Sequence, residues 1–370
     1  MIINNWYAAC FADKLFDTPK LVRMLGCDFV LFRTENGDCA CLSNVCCHRG
    51  ASLAHGKQLG NCIQCPYHGW EYAADGFVQR IPPLGNDVAI PKHARVDSYP
   101  VQEKYGLLWV FLGDMSEQER PTLPDSLSVY GDTENWRMCR LEREWNVNWV
   151  RLNENLVDTA HLYLVHSFGK HLPSKMNTFP VEATEWGGRI LQTFRPPDPK
   201  DTIAIDEAGQ QAKGRQESHI ELTFDLIGIL HKNSQQMASG YNQIIWDACT
   251  PIDAYHTRHL SMHFRNFNKD PEHDEGMVNA LRHALDEDEA VIEHVRPRLT
   301  PTHQSTDLFV GTDNAELSYR RKVDEVGRRL GRIAVHRMEE LGRNQTLVIP
   351  SPARAEGGSW GHPSVPLLDP

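Results

Sequence analysis

The chain has 370 residues and a mass of 42.1 kDa, is 41% apolar and 24% charged, and carries 38 basic against 49 acidic residues, a net charge of −11. That length exceeds what one hydrophobic core serves and implies two domains, while the composition excludes fibres, disordered tails and small disulfide scaffolds. The acidic balance argues against nucleic acid or an anionic membrane as partner, no apolar run reaches membrane-spanning length, and the opening MIINNWYAAC has no secretion-signal pattern, so a cytoplasmic protein is expected.

The first hundred or so residues read as short strands broken by turns. Phe29-Val30-Leu31-Phe32 and Gly106 to Phe111 are rich in β-branched and aromatic residues, punctuated by Gly, Asn, Asp and Pro. The proline-bearing stretch from Glu119 to Asp132 links two domains, expected at 1–130 and 131–370. From Trp145 to His166 the pattern is helical. Period-two alternation follows, with Ile220, Leu222, Phe224 and Leu226 on one face and Leu260, Met262 and Phe264 spaced likewise. Pro196 to Glu217 is polar and reads as a long surface loop. Val278 to Arg296 is expected as a helix. A last helix runs from about Glu316 to Leu341, with a capping box from Asp313 and a stop at Gly342. The proline-rich tail from Val348 to Pro370 reads as an extended arm.

Ten cysteines are unusual for a reducing compartment, and eight of them precede residue 66, which points to a metal before disulfides. Within that cluster stand Cys46-Cys47-His48-Arg49-Gly50 and, with sixteen residues between His48 and its start, Cys65-Pro66-Tyr67-His68-Gly69-Trp70. Zinc accepts two Cys and two His, but zinc fingers order them as a Cys pair and then a His pair. Here Cys and His alternate. A Rieske centre needs that arrangement: a 2Fe–2S cluster with one iron on two thiolates and the other on two imidazoles.

In these pieces, and in Gly76, Pro82 and Tyr105-Gly106-Leu107-Leu108-Trp109-Val110, the chain resembles the Rieske non-haem iron oxygenases. The resemblance implies that Cys46 and Cys65 bind one iron and His48 and His68 the other, with Cys47 and Cys62 structural. A second motif, Asn155-Leu156-Val157-Asp158-Thr159-Ala160-His161 and on to His166, resembles the mononuclear iron motif of the same family, closest in form to the vanillate-demethylase and dicamba-monooxygenase type. On spacing alone, Asp158 and His161 share one helical face, while His166 is about 140° further round and requires the helix to end or bulge. By the resemblance His161 and His166 are iron ligands, Asp158 couples the iron to a cluster of the neighbouring subunit, and Asn155 lies close to the iron. His171 is off motif.

A 2-His-1-carboxylate iron site needs a third ligand. Four acids stand in a row, Asp286, Glu287, Asp288 and Glu289, on a helix whose apolar stripe is Leu281, Leu285, Ile292 and Val295. Position 288 completes the stripe; 286, 287 and 289 are expected to face solvent. An acid on the core face lacks water and needs a partner, so Asp288 is the expected ligand. No dinucleotide fingerprint or P-loop is present, so NAD(P)H must be oxidised by a separate reductase, with or without a ferredoxin.

The resemblance thus implies an α+β chain: an antiparallel β Rieske domain, then a helix-grip catalytic domain of antiparallel sheet and helices. It implies the oxygenase (alpha) component of a multicomponent system, often a homotrimer. Its cofactors are a 2Fe–2S cluster and mononuclear Fe(II), with dioxygen as co-substrate, for hydroxylation, demethylation or dihydroxylation of a small aromatic or heterocyclic molecule. A long Rieske electron carrier and a zinc-binding interaction protein are the competing readings.

Overall fold

Runs of β-branched and aromatic residues between Gly, Asn and Pro turns become strands throughout the first hundred residues. The computed structural model describes residues 1–16, 18–85, 88–167, 179–194, 204–205, 211–212, 218–226, 229–234, 242–301 and 307–369. It divides into two compact units, Met1–Leu123 with Thr250–Ala254 and Gly327–Pro370, and Pro124–Cys249 with Tyr255–Val326. No helix among the described residues is long and apolar enough to cross a membrane.

The first unit holds β1 (Asn5–Phe11), β2 (Lys20–Met24), β3 (Cys27–Arg33), β4 (Cys39–Ser43), β5 (Lys57–Leu59), β6 (Cys62–Gln64), β7 (Glu71–Ala73), β8 (Val78–Arg80), β9 (Ser98–Tyr99), β10 (Val101–Lys104) and β11 (Leu107–Leu112). They pair into sheets ordered β1-β11-β10, β2-β3-β4-β9 and β5-β6-β7-β8. Alternate residues of β3 serve two cores. Phe29 and Leu31 pack with Tyr7, Leu108 and Val110, whereas Val30 and Phe32 pack with Leu42, Ile63 and Tyr72. Residues 327–370 join this unit although they follow the second in sequence. Ile333, Ile349 and Val365 enter the first core, Tyr99 Oη donates to Ile349 O at 2.7 Å, and Arg354 bonds Asp97 through two nitrogens at 2.7 Å each.

The second unit is built on β12 (Arg137–Trp145), β13 (Val181–Ala183), β14 (Gly188–Phe194), the short pair β15 (Ala204–Ile205) and β16 (Gln211–Ala212), β17 (Ser218–Phe224), β18 (Ile229–Ser234), β19 (Gln243–Pro251) and β20 (Thr257–Arg265). Seven of these form one antiparallel sheet, β12-β20-β19-β18-β17-β14-β13. Against it lie α1 (Trp149–Val157), α2 (Leu162–Val165) and α3 (Asp274–Ile292), followed by α4 (Asn314–Leu330) and, in the first unit, α5 (Val335–Leu341). Leu141, Trp145 and Cys249 of the sheet bury against Leu152, Leu285 and Ile292 of the helices. The result is mixed sheet and helix in the expected α+β class.

Two expectations change. The stretch from 145 to 166 is not one helix: it begins as the end of a strand, Asn148 caps α1 by accepting from Val150 N, and the chain turns extended at Asp158 before the single turn of α2. The last helix breaks after Leu330, where Gly331 takes φ +108, and resumes at Val335. Asp313 caps by accepting from Val310 N at 2.8 Å. The loop reading at 196–217, apart from the pair β15–β16, and His171 lie outside the described residues.

Candidate metal centres

Two loops of the first unit share one plan. Cys46 N donates to Ala51 O at 2.9 Å, and Gly50, at φ +71, returns a bond to Cys46 O at 2.8 Å. In the second loop Cys65 N donates to Trp70 O at 2.7 Å, and Gly69, at φ +74, bonds Cys65 O at 3.1 Å. Each glycine takes a left-handed conformation that a side chain would strain, which explains its place four residues after the cysteine. The loops face each other between β4 and β5 and between β6 and β7. The thiols of Cys46 and Cys65 are buried and hydrogen-bond to each other. The rings of His48, which is exposed, and His68, which is half-buried, stand 4.6 Å apart, and His48 stacks on Trp70 at 4.7 Å.

Thiols therefore pair on the buried side and imidazoles on the outer side. A single tetrahedral zinc, with bonds of about 2.0–2.3 Å, would gather all four donor atoms to within roughly 4 Å of one another. No three of them come within 4.8 Å of one another, so the set does not fit one ion but does fit two irons, each with its own pair of ligands. Tyr72 Oη lies 2.9 Å from Cys46 Sγ and 3.3 Å from Cys47 Sγ, giving Cys47 a local partner. The carboxy-terminal arm reaches the same loop. His362 hydrogen-bonds to the Cys46 backbone, and a Cβ on Gly361 would sit 3.2 Å from Cys47 Cβ.

The second centre grows from the break at Asp158. Once α1 stops, the Asp158 carboxylate accepts from Ala160 N at 2.6 Å and His161 N at 3.3 Å, and this side-chain turn leads the chain into α2. The same carboxylate takes His161 Nδ1 at 2.9 Å. His166 closes the short helix in extended conformation, and its Nδ1 meets Glu287 Oε2 at 3.1 Å. Each Nδ1 donates to a carboxylate, so each Nε2 offers its lone pair inward. Both Nε2 atoms converge on Asp288 Oδ1, at 3.4 Å from His161 and 3.3 Å from His166. Among the described residues, His161, His166 and Asp288 are the one group of three such ligand atoms lying within 4.8 Å of one another.

Asp288 is 5% exposed, and its Oδ1 has no hydrogen-bond partner among the described residues. A buried carboxylate oxygen facing two imidazole lone pairs is unfavourable unless a cation sits between them. The donor set of two nitrogens and one carboxylate, open on the pocket side, fits a non-haem iron. In the absence of a cation, burial pulls the His161 ring down, but Asp158 and Asp288 outweigh it and hold the ring up to about 9, so a proton occupies the Nε2 position that a metal would take in its place. Asp158 itself stays below the usual carboxylate range, because its bonds to His161 override the effect of burial. Beside it, burial and the Asp158 charge push Glu316 up to about 9.

The four acids of α3 separate as follows. Asp288 faces inward as expected. Asp286 and Glu289 both pair with Arg143. Glu287 departs from the sequence expectation: rather than facing solvent, it holds His166 Nδ1 and accepts from Ser167 N at 3.1 Å. Asn155 lines the pocket with its Nδ2 lacking a hydrogen-bond partner among the described residues. The pocket has a volume of about 120 Å³, space for one small ring, with Leu222, Ile245, Leu281 and Leu285 as apolar walls. Sequence reasoning missed two further polar wall residues, Asp247 and His259.

Residues 5–100 match the Rieske [2Fe-2S] domain, and residues 145–329, half of the chain, match the vanillate O-demethylase oxygenase C-terminal domain. The chain belongs to the Rieske-type oxygenases. Within that class it is a terminal oxygenase, the alpha component, whose cofactors are a Rieske 2Fe–2S cluster and a mononuclear iron and whose electrons come from a partner reductase. The readings as an electron carrier alone or as a zinc protein fall away. The oxygenase subunit of the tert-butanol monooxygenase / tert-amyl alcohol desaturase of Aquincola tertiaricarbonis is 25% identical over 98% of this chain and 77% of its own length. Methylxanthine N1-demethylase NdmA of Pseudomonas putida is 25% identical over 85% of this chain and 82% of its own. The structure of dicamba monooxygenase bound to 3,6-dichlorosalicylic acid superimposes with a TM-score of 0.74 at 20% identity, over 88% of this chain and 97% of that one, which shows the shared fold.

Proposed function

We propose that this oxygenase hydroxylates or demethylates a small aromatic or heterocyclic molecule, with Cys46, His48, Cys65 and His68 holding the cluster near the start of the chain (within 1–130) and His161, His166 and Asp288 holding the iron in the domain that follows (131 onward). The observation that carries the reading is the convergence of two imidazole lone pairs and one unpartnered buried carboxylate oxygen at the floor of an apolar pocket. When bound, the cluster supplies single electrons and the iron supplies dioxygen activation. The chain's own residues keep each proton in its place: Asp158 on His161 Nδ1, Glu287 on His166 Nδ1. The apolar walls admit a ring and exclude bulk water. Asp158 is the residue assigned to electron transfer between cluster and iron, across subunits of a homotrimer, and Asn155 the pocket residue beside the iron.

Two of the three relatives support the substrate class, since a methylxanthine and a chlorinated salicylic acid are small rings, whereas the third is named for small alcohols. Ten cysteines without a disulfide suit the cytoplasm, where NAD(P)H feeds the reductase. Metal counting and oxygen uptake test the reading. The purified protein should be brown with about three irons per chain, and His161→Ala should retain the cluster's visible and paramagnetic signatures, lose about one iron and lose turnover with reductase present. Full activity in that variant overturns the iron assignment.

A further inference from the structure

The buried charges beside the first centre do not balance among the described residues. Arg95 is 9% exposed, and its neighbours Ala94 and Val96 share one core with Cys46 and Cys65. Its Nη2 donates to Gly357 O at 2.9 Å, and its guanidinium lies 3.9 Å from the centre of the Trp360 ring and 5.6 Å from that of Phe77. Its Nε is buried and has no hydrogen-bond partner among the described residues. No carboxylate there pairs with it: Asp97, two residues on, is taken by Arg354 at 2.7 Å, and Glu356 is exposed. Aromatic rings and a carbonyl answer part of the demand of a buried cation, and the remainder calls for negative charge nearby.

The carboxy-terminal arm holds this cation against the loop of Cys46 and Cys47. The Cys47 thiol hydrogen-bonds to the Arg95 backbone, His362 bonds the Cys46 backbone, and a Cβ on Gly361, next to Trp360, would sit 3.2 Å from Cys47 Cβ. The Arg354 guanidinium lies 4.8 Å from the same Trp360 ring, so two cations share one indole and Asp97 neutralises only Arg354. Two ferric irons, two sulfides, two thiolates and two neutral imidazoles sum to zero charge, and one electron from the reductase leaves a single negative charge. A buried cation beside that set favours the reduced form, because its low-dielectric surroundings screen it little.

We propose that Arg95, clamped by Gly357 and Trp360 of the arm, raises the reduction potential of the cluster: its charge, unanswered by any acid, is held beside the Cys46–Cys47 loop, and the arm keeps water from screening it. Arg95 is a tuning residue that touches no reacting atom, and the arm gains a redox role through it. The proposal rests on the reading of Cys46, His48, Cys65 and His68 as the cluster ligands.

The test is a redox titration of the full chain with its cluster in place, followed by visible absorbance, for the natural protein and for Arg95→Met, Arg95→Lys, Trp360→Leu and Lys92→Gln. Arg95→Met should make the one-electron reduction about tenfold less favourable, a fall of about 59 mV in potential. Arg95→Lys keeps the charge and should keep most of the potential. Trp360→Leu lets water reach the guanidinium and should fall part of the way towards Arg95→Met. Lys92, an exposed cation three residues earlier, is screened by water and salt, and Lys92→Gln should leave the potential unchanged. A merely structural role would move Arg95→Lys and Arg95→Met alike, or reduce cluster content while the remaining cluster keeps its potential; either result overturns the proposal, as does an unchanged potential in Arg95→Met. If Arg95→Met does not fold with its cluster, Trp360→Leu decides: a lowered potential supports the proposal and an unchanged one overturns it. Failure of the ligand reading would show differently, as a Cys65→Ala variant that keeps the visible spectrum of the cluster.

Discussion

Replacing Glu287 by alanine should weaken the mononuclear metal centre while leaving the cluster untouched. Its carboxylate holds His166 Nδ1 at 3.1 Å and Ser167 N at 3.1 Å, with a side chain 19% exposed. Without it the imidazole loses the partner that fixes its orientation and its Nδ1 proton, though water can fill part of the gap. Losing a hydrogen bond to a charged group costs about 1.5–3 kcal/mol, and partial exposure places the expectation in the lower half of that range. That is a metal affinity about ten- to thirtyfold weaker, within the 10- to 100-fold seen for partners of this kind. The assay is cobalt(II) titration of protein depleted of its mononuclear iron, followed by the cobalt absorption bands, with the cluster absorbance as an internal control. Asp286→Ala and Glu289→Ala are the comparison, because these neighbours pair with Arg143 and should leave cobalt binding unchanged. Equal affinities across all three variants would refute the assignment of Glu287.

Three other outcomes follow from the same geometry. Tyr72→Phe removes a donor from Cys46 Sγ and should lower the cluster potential by some tens of millivolts, about 59 mV for each tenfold change in a one-electron equilibrium; voltammetry that shows no shift argues against that hydrogen bond. Arg320→Met takes two charge-assisted bonds of 2.6 and 2.8 Å from the buried Glu154 and leaves it Arg151 at 3.2 Å, and should cost about 1.5–3 kcal/mol in a denaturant titration, with most of the loss recovered in the double variant Glu154→Gln/Arg320→Met. His263 takes up its proton near pH 6.5 when unfolded but near 4 when folded, so the native state loses stability as pH falls through that window, by up to about 3 kcal/mol. His263→Gln should flatten the fall in urea midpoint between pH 7 and 5; an unchanged slope counts against it.

Much of the first centre was legible because its chemistry is local. Each loop carries its own cysteine, histidine and glycine within five residues, and a strand pattern with turn residues is enough to place them. Asp288 was legible for a different reason: helical period puts it on the apolar stripe of α3, where an acid requires an explanation. Its neighbour Glu287 was misjudged by the same logic. Periodicity reports where a backbone position faces, whereas a long side chain can reach round the helix to His166. The break at Asp158 was hidden because the residues of 155–166 all tolerate helix; the Asp158 side chain, by bonding Ala160 N and His161 N, turns the chain out of the first helix. Asp247 and His259 could not be paired from sequence. Their meeting depends on the neighbouring placement of β19 and β20 in the sheet, a long-range relation that no local pattern encodes.

The packing of residues 327–365 against the first unit sets an order of events in the cell. Cys46 and Cys65 leave the ribosome early, whereas the arm that brings Ile349, Arg354 and His362 onto their unit is made last. At about 5–20 residues per second, tens of seconds separate the synthesis of Cys65 from that of His362, but the core that packs on both cysteines is complete at Val96. A nascent chain released without its last forty or so residues would keep the cysteines and that core, and lack the bond of His362 to the Cys46 backbone.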